Sequence, residues 1–323
     1  MPTRQLASPY RLRLRAVIQQ HPLGAFLIIG YAGVWASLLP AVVGDVPMGR
    51  LGALAALAGM AVPALMITAL DEGRDGVLEL LSRLLVWRVK ARWYLWAATA
   101  VPAGVAALSA IAGDVTAAEF AAFWTSPGVG LTVELALALL TVHLLEEIAW
   151  SGFLQSRAQV ALGPTKAAVL TGVAFTLFHT PTYFVAVDVS LLTVVNAALG
   201  ALLVLPTAIA FRIWMGWLYN RANTSILIAA VGHMSFSMTS DYRLLPPLLS
   251  PTAALWIPLT VLATLALFVT IATARARARR QEPLWSEIPS SSRLMRRKHL
   301  NELRPLPLSM HQLETDHAAH QSN

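Results

Sequence analysis

Charge is confined to short stretches of this sequence, and apolar segments of about 20 residues run between them. That segregation constrains the fold more than any other feature. A run of this length matches the hydrocarbon thickness of a bilayer when it is helical. In lipid every backbone N–H and C=O must be paired within its own segment, so each run is expected to be an α-helix. Of the 323 residues, 56% are hydrophobic and 13% are charged. A soluble domain carries about 25% charged residues. Cysteine is absent, which excludes disulfides and thiolate metal sites.

Eight apolar segments are read as spans: 24–44, 51–70, 93–113, 129–154, 167–180, 189–211, 226–238 and 255–274. The fifth and seventh are short for a span, so they are expected to lie among the other helices. The stretch 114–128 reads as interfacial, anchored by Phe120, Phe123 and Trp124. The expected fold is therefore all-α: a polytopic transmembrane helical bundle of about eight spans. No cleavable leader is evident, since the first apolar run is longer than a signal core.

Basic residues test that count. With the N-terminus in the cytoplasm, 22 of the 24 Lys and Arg fall in cytoplasmic segments, including Arg157, Lys166, Arg212 and Arg221. Only Arg50 and Arg243 lie elsewhere. The positive-inside bias thus predicts both termini in the cytoplasm. The same assignment accounts for the net charge of +7 without nucleic acid. Three regions follow: a basic N-terminal segment 1–22, a membrane domain 23–274, and a basic tail 275–323 that reads as unstructured. Arg275, Arg277, Arg279 and Arg280 open the tail as a juxtamembrane cluster suited to anionic lipid headgroups.

Ionisable groups inside apolar runs cost at least about 2.5–3.5 kcal/mol each and tend to mark function. Glu134 lies near one end of the fourth run and can reach an interface. Glu146 and Glu147 lie deeper. Adjacent carboxylates point about 100° apart on a helix, so at least one faces the bundle. Of eight histidines, three sit in apolar surroundings: His143, His179 and His233. His143 shares a face with Glu147 at i, i+4 and reads as a structural hydrogen-bond partner. Glu146, His179 and His233 lie about 11 to 14 residues from the cytoplasmic ends of their helices. At about 1.5 Å per residue these heights agree within about 5 Å.

A carboxylate and two imidazoles at one depth suit activation of water. Glu146 can serve as general base, while an imidazole orients the water or donates to an oxyanion. The same three residues, Glu146, His179 and His233, also make a conceivable ligand set for a divalent metal such as zinc, with water in the open position. A structural polar network and a proton relay for transport use the same residue types.

The order and spacing of these residues resemble a known family: the CAAX-prenyl-protease-like and bacteriocin-processing (CPBP, or Abi) intramembrane proteases, related to the Ras-converting endopeptidase. The family's first motif, Glu-Glu-x-x-x-Arg-Gly-x-Leu, is matched by Glu146-Glu147 through Gly152 and Leu154. Its second, Phe-x-x-x-His, is matched by Phe175 and His179. Its third, His-x-x-x-Asn or Asp, is matched by His233 followed by Ser237. A Trp-Arg-Val segment at 87–89, before the third apolar run, is similar as well. The motifs cover 145–240, within a protease-like core of about 129–240.

The resemblance implies a membrane-embedded endopeptidase of a bacterial plasma membrane, either a metalloprotease or a metal-independent glutamate peptidase. It implies a peptide or protein substrate, with a prenylated C-terminus as one candidate. Glu146 would be the base, with His179 assisting and His233 stabilising the oxyanion. Glu147 would orient the site, in most members by pairing with the motif arginine. Two positions depart from the pattern. The motif arginine is Ser151, which leaves Glu147 in need of another donor. Ser237 replaces the Asn or Asp and would donate one weaker hydrogen bond to the oxyanion. Two rival readings follow: a catalytically impaired relative acting as a binding or immunity protein, and a proton-coupled transporter.

Overall fold

A computed structural model describes residues 9–44, 46, 48–113, 116, 118–119, 129–184, 190–240 and 250–278. The interfacial anchors Phe120, Phe123 and Trp124, the tail from 279 onward, and the side chain of Glu134 lie outside the described residues.

Every apolar segment read from the sequence forms a helix, and no strand occurs among the described residues. In chain order these are α1 (Pro9–Gln20), α2 (Pro22–Val43), α3 (Met48–Ala56), α4 (Val62–Ser82), α5 (Ala91–Ala112), α6 (Val129–Glu147), α7 (Ser156–Leu162), α8 (Pro164–Phe178), α9 (Leu191–Arg221), α10 (Ile226–Ser240) and α11 (Pro251–Ala278). A π-helical turn, Leu57–Ala61, joins α3 to α4. A longer π-helix, Ile148–Gln155, joins α6 to α7. Short 3-10 turns occur at Arg83–Leu85 and Thr180–Phe184.

Among the described residues, six helical stretches are long and apolar enough to cross a membrane: Pro22–Val43, Leu51–Leu85, Ala91–Ala112, Ala136–Leu162, Leu191–Arg221 and Trp256–Arg275. The chain is an integral, multi-pass helical membrane protein. The fifth and seventh segments, expected to be short, are α8 and α10 at 15 residues each. At about 1.5 Å per residue such a helix is only about 22 Å long, and both are largely buried among the longer ones.

Lipid offers no hydrophobic drive for helix association, so close backbone approach and hydrogen bonds carry much of the packing. Gly172 of α8 shows the first. A Cβ there would fall 2.7 Å from the Cα of Ile209, so α8 lies directly on the α9 backbone. The hydrogen bonds run between helices. Tyr31 of α2 donates to the Ala174 carbonyl of α8 at 3.2 Å. Ser235 of α10 donates to the Ala97 carbonyl of α5 at 2.7 Å. Ser225 donates to the Val86 carbonyl at 2.6 Å and caps α10 by accepting from the Ile228 N–H at 3.1 Å. An aromatic cluster of Phe26, Trp150, Phe153, Phe175 and Phe178 joins α2, the long π-helix and α8.

One expectation is corrected. The sixth apolar run does not stop before Arg212, because α9 continues unbroken to Arg221. Arg212 is fully buried in the bundle and is not a residue of a connecting segment. Its charge is tolerated there because it is paired.

Candidate active site

The site is built where α6 passes into the long π-helix. Glu146 and Glu147 are the last residues of α6, and the eight residues Ile148–Gln155 that follow are all buried. A π-helix bonds i to i+5, is rare, and occurs often at functional sites. Here its wall is held from outside. Arg83 donates to the Gly152 carbonyl at 3.2 Å and to Ser156 Oγ and Tyr219 OH at 3.1 Å each. Arg157 pairs with Glu72 and lies over the Phe153 ring at 4.0 Å. Beyond it, Gln159 and Asn220 exchange amide hydrogen bonds at 3.1 and 3.2 Å, tying α7 to α9.

The two carboxylates have different partners. Glu147 has no exposed side-chain surface, and neither does Arg212 of α9, which pairs with it. Arg212 Nη1 donates to Glu147 Oε1 at 2.7 Å, and Nη2 donates to Oε2 at 3.4 Å. Nη2 also donates to Ser151 Oγ at 3.1 Å, and the Ser151 hydroxyl donates in turn to Glu147 Oε2. His233 Nδ1 completes the set with a bond to Glu147 Oε1 at 2.9 Å. The donor that Ser151 cannot supply as the motif arginine thus comes from another helix.

Glu146 has no guanidinium partner among the described residues. Its Oε2 lies 3.2 Å from His143 Nδ1 and 3.5 Å from His233 Nδ1. Its side chain keeps 10% exposure against none for Glu147, so Glu146 is the less enclosed of the two carboxylates. A carboxylate only accepts, so the facing Nδ1 atoms carry the hydrogens. The His143 and His233 rings stack with centroids 3.9 Å apart and planes within 15°. His143 therefore pairs with Glu146 at i, i+3. It does not pair with Glu147 at i, i+4 as its position suggested, because Glu147 is turned toward Arg212.

His179 caps the C-terminal end of α8 and is partly exposed. Its Nδ1 donates to the Phe175 carbonyl at 2.7 Å, which leaves Nε2 as the nitrogen with the lone pair. The Phe175 ring lies 4.4 Å from the His179 ring and 5.5 Å from that of His233, so one aromatic side chain is flanked by both imidazoles. Ser237 is buried on α10, one turn beyond His233.

Sequence reasoning missed Arg212 and the part played by His143. For Arg212 a signal existed: Phe211 precedes it and Ile213-Trp214-Met215 follows, so the apolar helical pattern continues on both sides.

By residue type and proximity, a buried group could hold a divalent metal ion: His143, Glu146 and His233, whose ligand atoms lie within 4.8 Å of one another. His179 is not in this group. The ring arrangement does not suit the ion. Imidazole lone pairs lie in the ring plane, and a zinc ion sits about 2.0–2.1 Å from nitrogen. Two rings stacked 3.9 Å apart cannot both aim in-plane lone pairs at one ion. Both Nδ1 atoms are also engaged with carboxylates.

Comparison with known proteins bears on this region. Residues 128–239 match the family model described as Type II CAAX prenyl endopeptidase Rce1-like. No curated protein matches the chain. The matched segment contains both glutamates, all three site histidines, Ser237 and Arg212. Over residues 128–239 the chain is thus similar to the Rce1-like, type II CAAX prenyl endopeptidase family that its motifs resemble.

Proposed function

We propose that this protein is a membrane-embedded endopeptidase that cleaves a peptide bond with water activated by Glu146. One observation carries the reading: of two adjacent buried carboxylates, Glu147 is neutralised by an arginine, whereas Glu146 has imidazole partners and keeps a little exposed surface. Such a division gives one carboxylate a structural task and leaves the other for proton transfer.

Glu146 takes a proton from water as the oxygen attacks the scissile carbonyl carbon. His179 Nε2 accepts the second water hydrogen and orients the attack. The tetrahedral oxyanion is met by the Ser237 hydroxyl and by His233, which takes a solvent proton on Nε2 before the substrate binds, donates through it to the oxyanion and keeps it through the cycle. The C–N bond then breaks, and the amine leaves with the proton held by Glu146. The products are a carboxylate and a free amine, and no step passes through a metal. Water-excluded surroundings strengthen each of these interactions.

The substrate class that fits the family is a peptide presented at the membrane, with prenylated C-termini among the candidates. The test is cleavage of prenylated and unprenylated peptides by purified protein in lipid nanodiscs. Loss of cleavage in Glu146→Gln, His179→Ala and His233→Ala, with folding intact, supports the reading. A wild type that cleaves nothing, or Glu146-dependent proton flux in liposomes, overturns it.

A further inference from the structure

We infer that Arg212 is the positioning residue of this site, acting through Glu147 to fix His233 from a helix outside the glutamate motif. The inference rests on the endopeptidase reading for its kinetic consequence, but not for its structural one.

Glu147 receives four donors from three helical segments. Oε1 takes Arg212 Nη1 at 2.7 Å and His233 Nδ1 at 2.9 Å. Oε2 takes Arg212 Nη2 and the Ser151 hydroxyl. Two carboxylate oxygens have about four lone-pair sites, so the group is saturated and has one orientation. That orientation places the acceptor for His233 Nδ1–H. It thereby holds the His233 ring with Nδ1–H on Glu147 and leaves Nε2 as the nitrogen that can take up the proton donated to the oxyanion. His233 in turn stacks on His143, which holds Glu146. Four links thus connect Arg212 to the reacting carboxylate, although Arg212 touches neither Glu146 nor, in the proposed reaction, the substrate.

The hydroxyl at 151 belongs to the same arrangement. Position 151 is fully buried, one turn past Glu147, and its hydroxyl both accepts from Arg212 and donates to Glu147. A guanidinium attached at 151 would compete for the space that the Arg212 guanidinium fills. The small residue on one helix and the arginine on the other are therefore one unit. A lysine cannot substitute for the arginine fully, because an ammonium lacks the planar fork that spans both carboxylate oxygens.

The test uses full-length protein in nanodiscs carrying Arg212→Gln, Arg212→Lys, or the exchange Ser151→Arg with Arg212→Ser. Three quantities are read: the thermal midpoint, the 15N signal of the Nδ1-protonated His233 ring in histidine-labelled protein (assigned with His233→Gln), and kcat against KM. Arg212→Gln is expected to lose the His233 signature and about 100-fold in kcat, the scale of a small misplacement of a reacting group, with a smaller change in KM. Arg212→Lys should fall between it and wild type. The exchange should restore the signature and most of kcat. A folded Arg212→Gln with an unchanged His233 signal and kcat overturns the inference. If Arg212→Gln does not fold, the exchange decides: recovery of fold and signature supports the inference, and failure of either overturns it. A wild type without peptidase activity removes the endopeptidase reading alone, because the His233 signature still decides the positioning role.

Discussion

His143 and His233 stack face to face, with centroids 3.9 Å apart and planes within 15°. Rings held this way share the Glu146 carboxylate and do not converge on an ion. Chelators such as EDTA and 1,10-phenanthroline are therefore expected to leave peptide cleavage unchanged, and elemental analysis should find no stoichiometric zinc. A chelated protein that is inactive until zinc is added back would mean that the stack opens to bind metal.

Glu146→Gln and Glu147→Gln should separate activity from stability. Glu146→Gln removes the proposed general base and is expected to lower kcat by about 10²–10⁴-fold, with little change in the thermal midpoint. Glu147→Gln leaves the Arg212 guanidinium buried without its counter-charge, at a cost of about 3–5 kcal/mol. Thermal unfolding of the two variants, measured beside their activities, shows whether the roles divide this way.

Gly172 sets the distance between α8 and α9. In Gly172→Val the new Cβ would lie 2.7 Å from the Cα of Ile209, and backbone cannot move aside cheaply. The helix carrying Phe175 and His179 should shift outward. We expect a loss of about 100-fold in kcat, the scale of a 1 Å displacement of a reacting group, together with a lower thermal midpoint. Gly172→Ala should show the same effects more weakly, since its Cβ meets the same contact with fewer atoms behind it.

Arg83 reaches the π-helical wall from the segment between α4 and α5. Arg83→Ala leaves the Gly152 carbonyl without that donor, an expected loss of about 1–3 kcal/mol. Tyr219→Phe removes one hydroxyl from the same group, for about 1 kcal/mol. Unfolding midpoints of the two single variants and the double variant give the coupling, which should be non-additive because both touch Ser156.

Much of this was legible in the sequence. Hydropathy located the apolar helices because in lipid each must satisfy its own backbone, so the pattern is local. Glu146, Glu147, His179 and His233 stood out because a charged or polar group in an apolar run is costly and therefore conspicuous. Arg212 was not legible as a site residue. Its partner Glu147 lies 65 positions away, and a basic residue near the end of an apolar run ordinarily marks a membrane boundary. Only the pairing reveals the other case, in which the helix runs on and the charge is spent inside. His143 was seen, but its partner was misassigned. Neighbours at i+3 and i+4 are equally near on a helix, and what chose between Glu146 and Glu147 was a side chain from α9.

The long π-helix after Glu147 has a consequence of its own. Each of its turns takes up one more residue than an α-turn's bond pattern, so it acts as a phase shifter between the two ends of a single membrane-crossing rod. Upstream it aims the glutamates inward, and downstream it aims Arg157 at Glu72 and Gln159 at Asn220. A chain that lost one residue between 148 and 155 could wind this stretch as plain α-helix and keep its hydropathy, charge and site glutamates. Its two halves would nonetheless be rotated out of register, with one end or the other facing the wrong neighbours. Length within these eight residues is under tighter constraint than the identity of most of them.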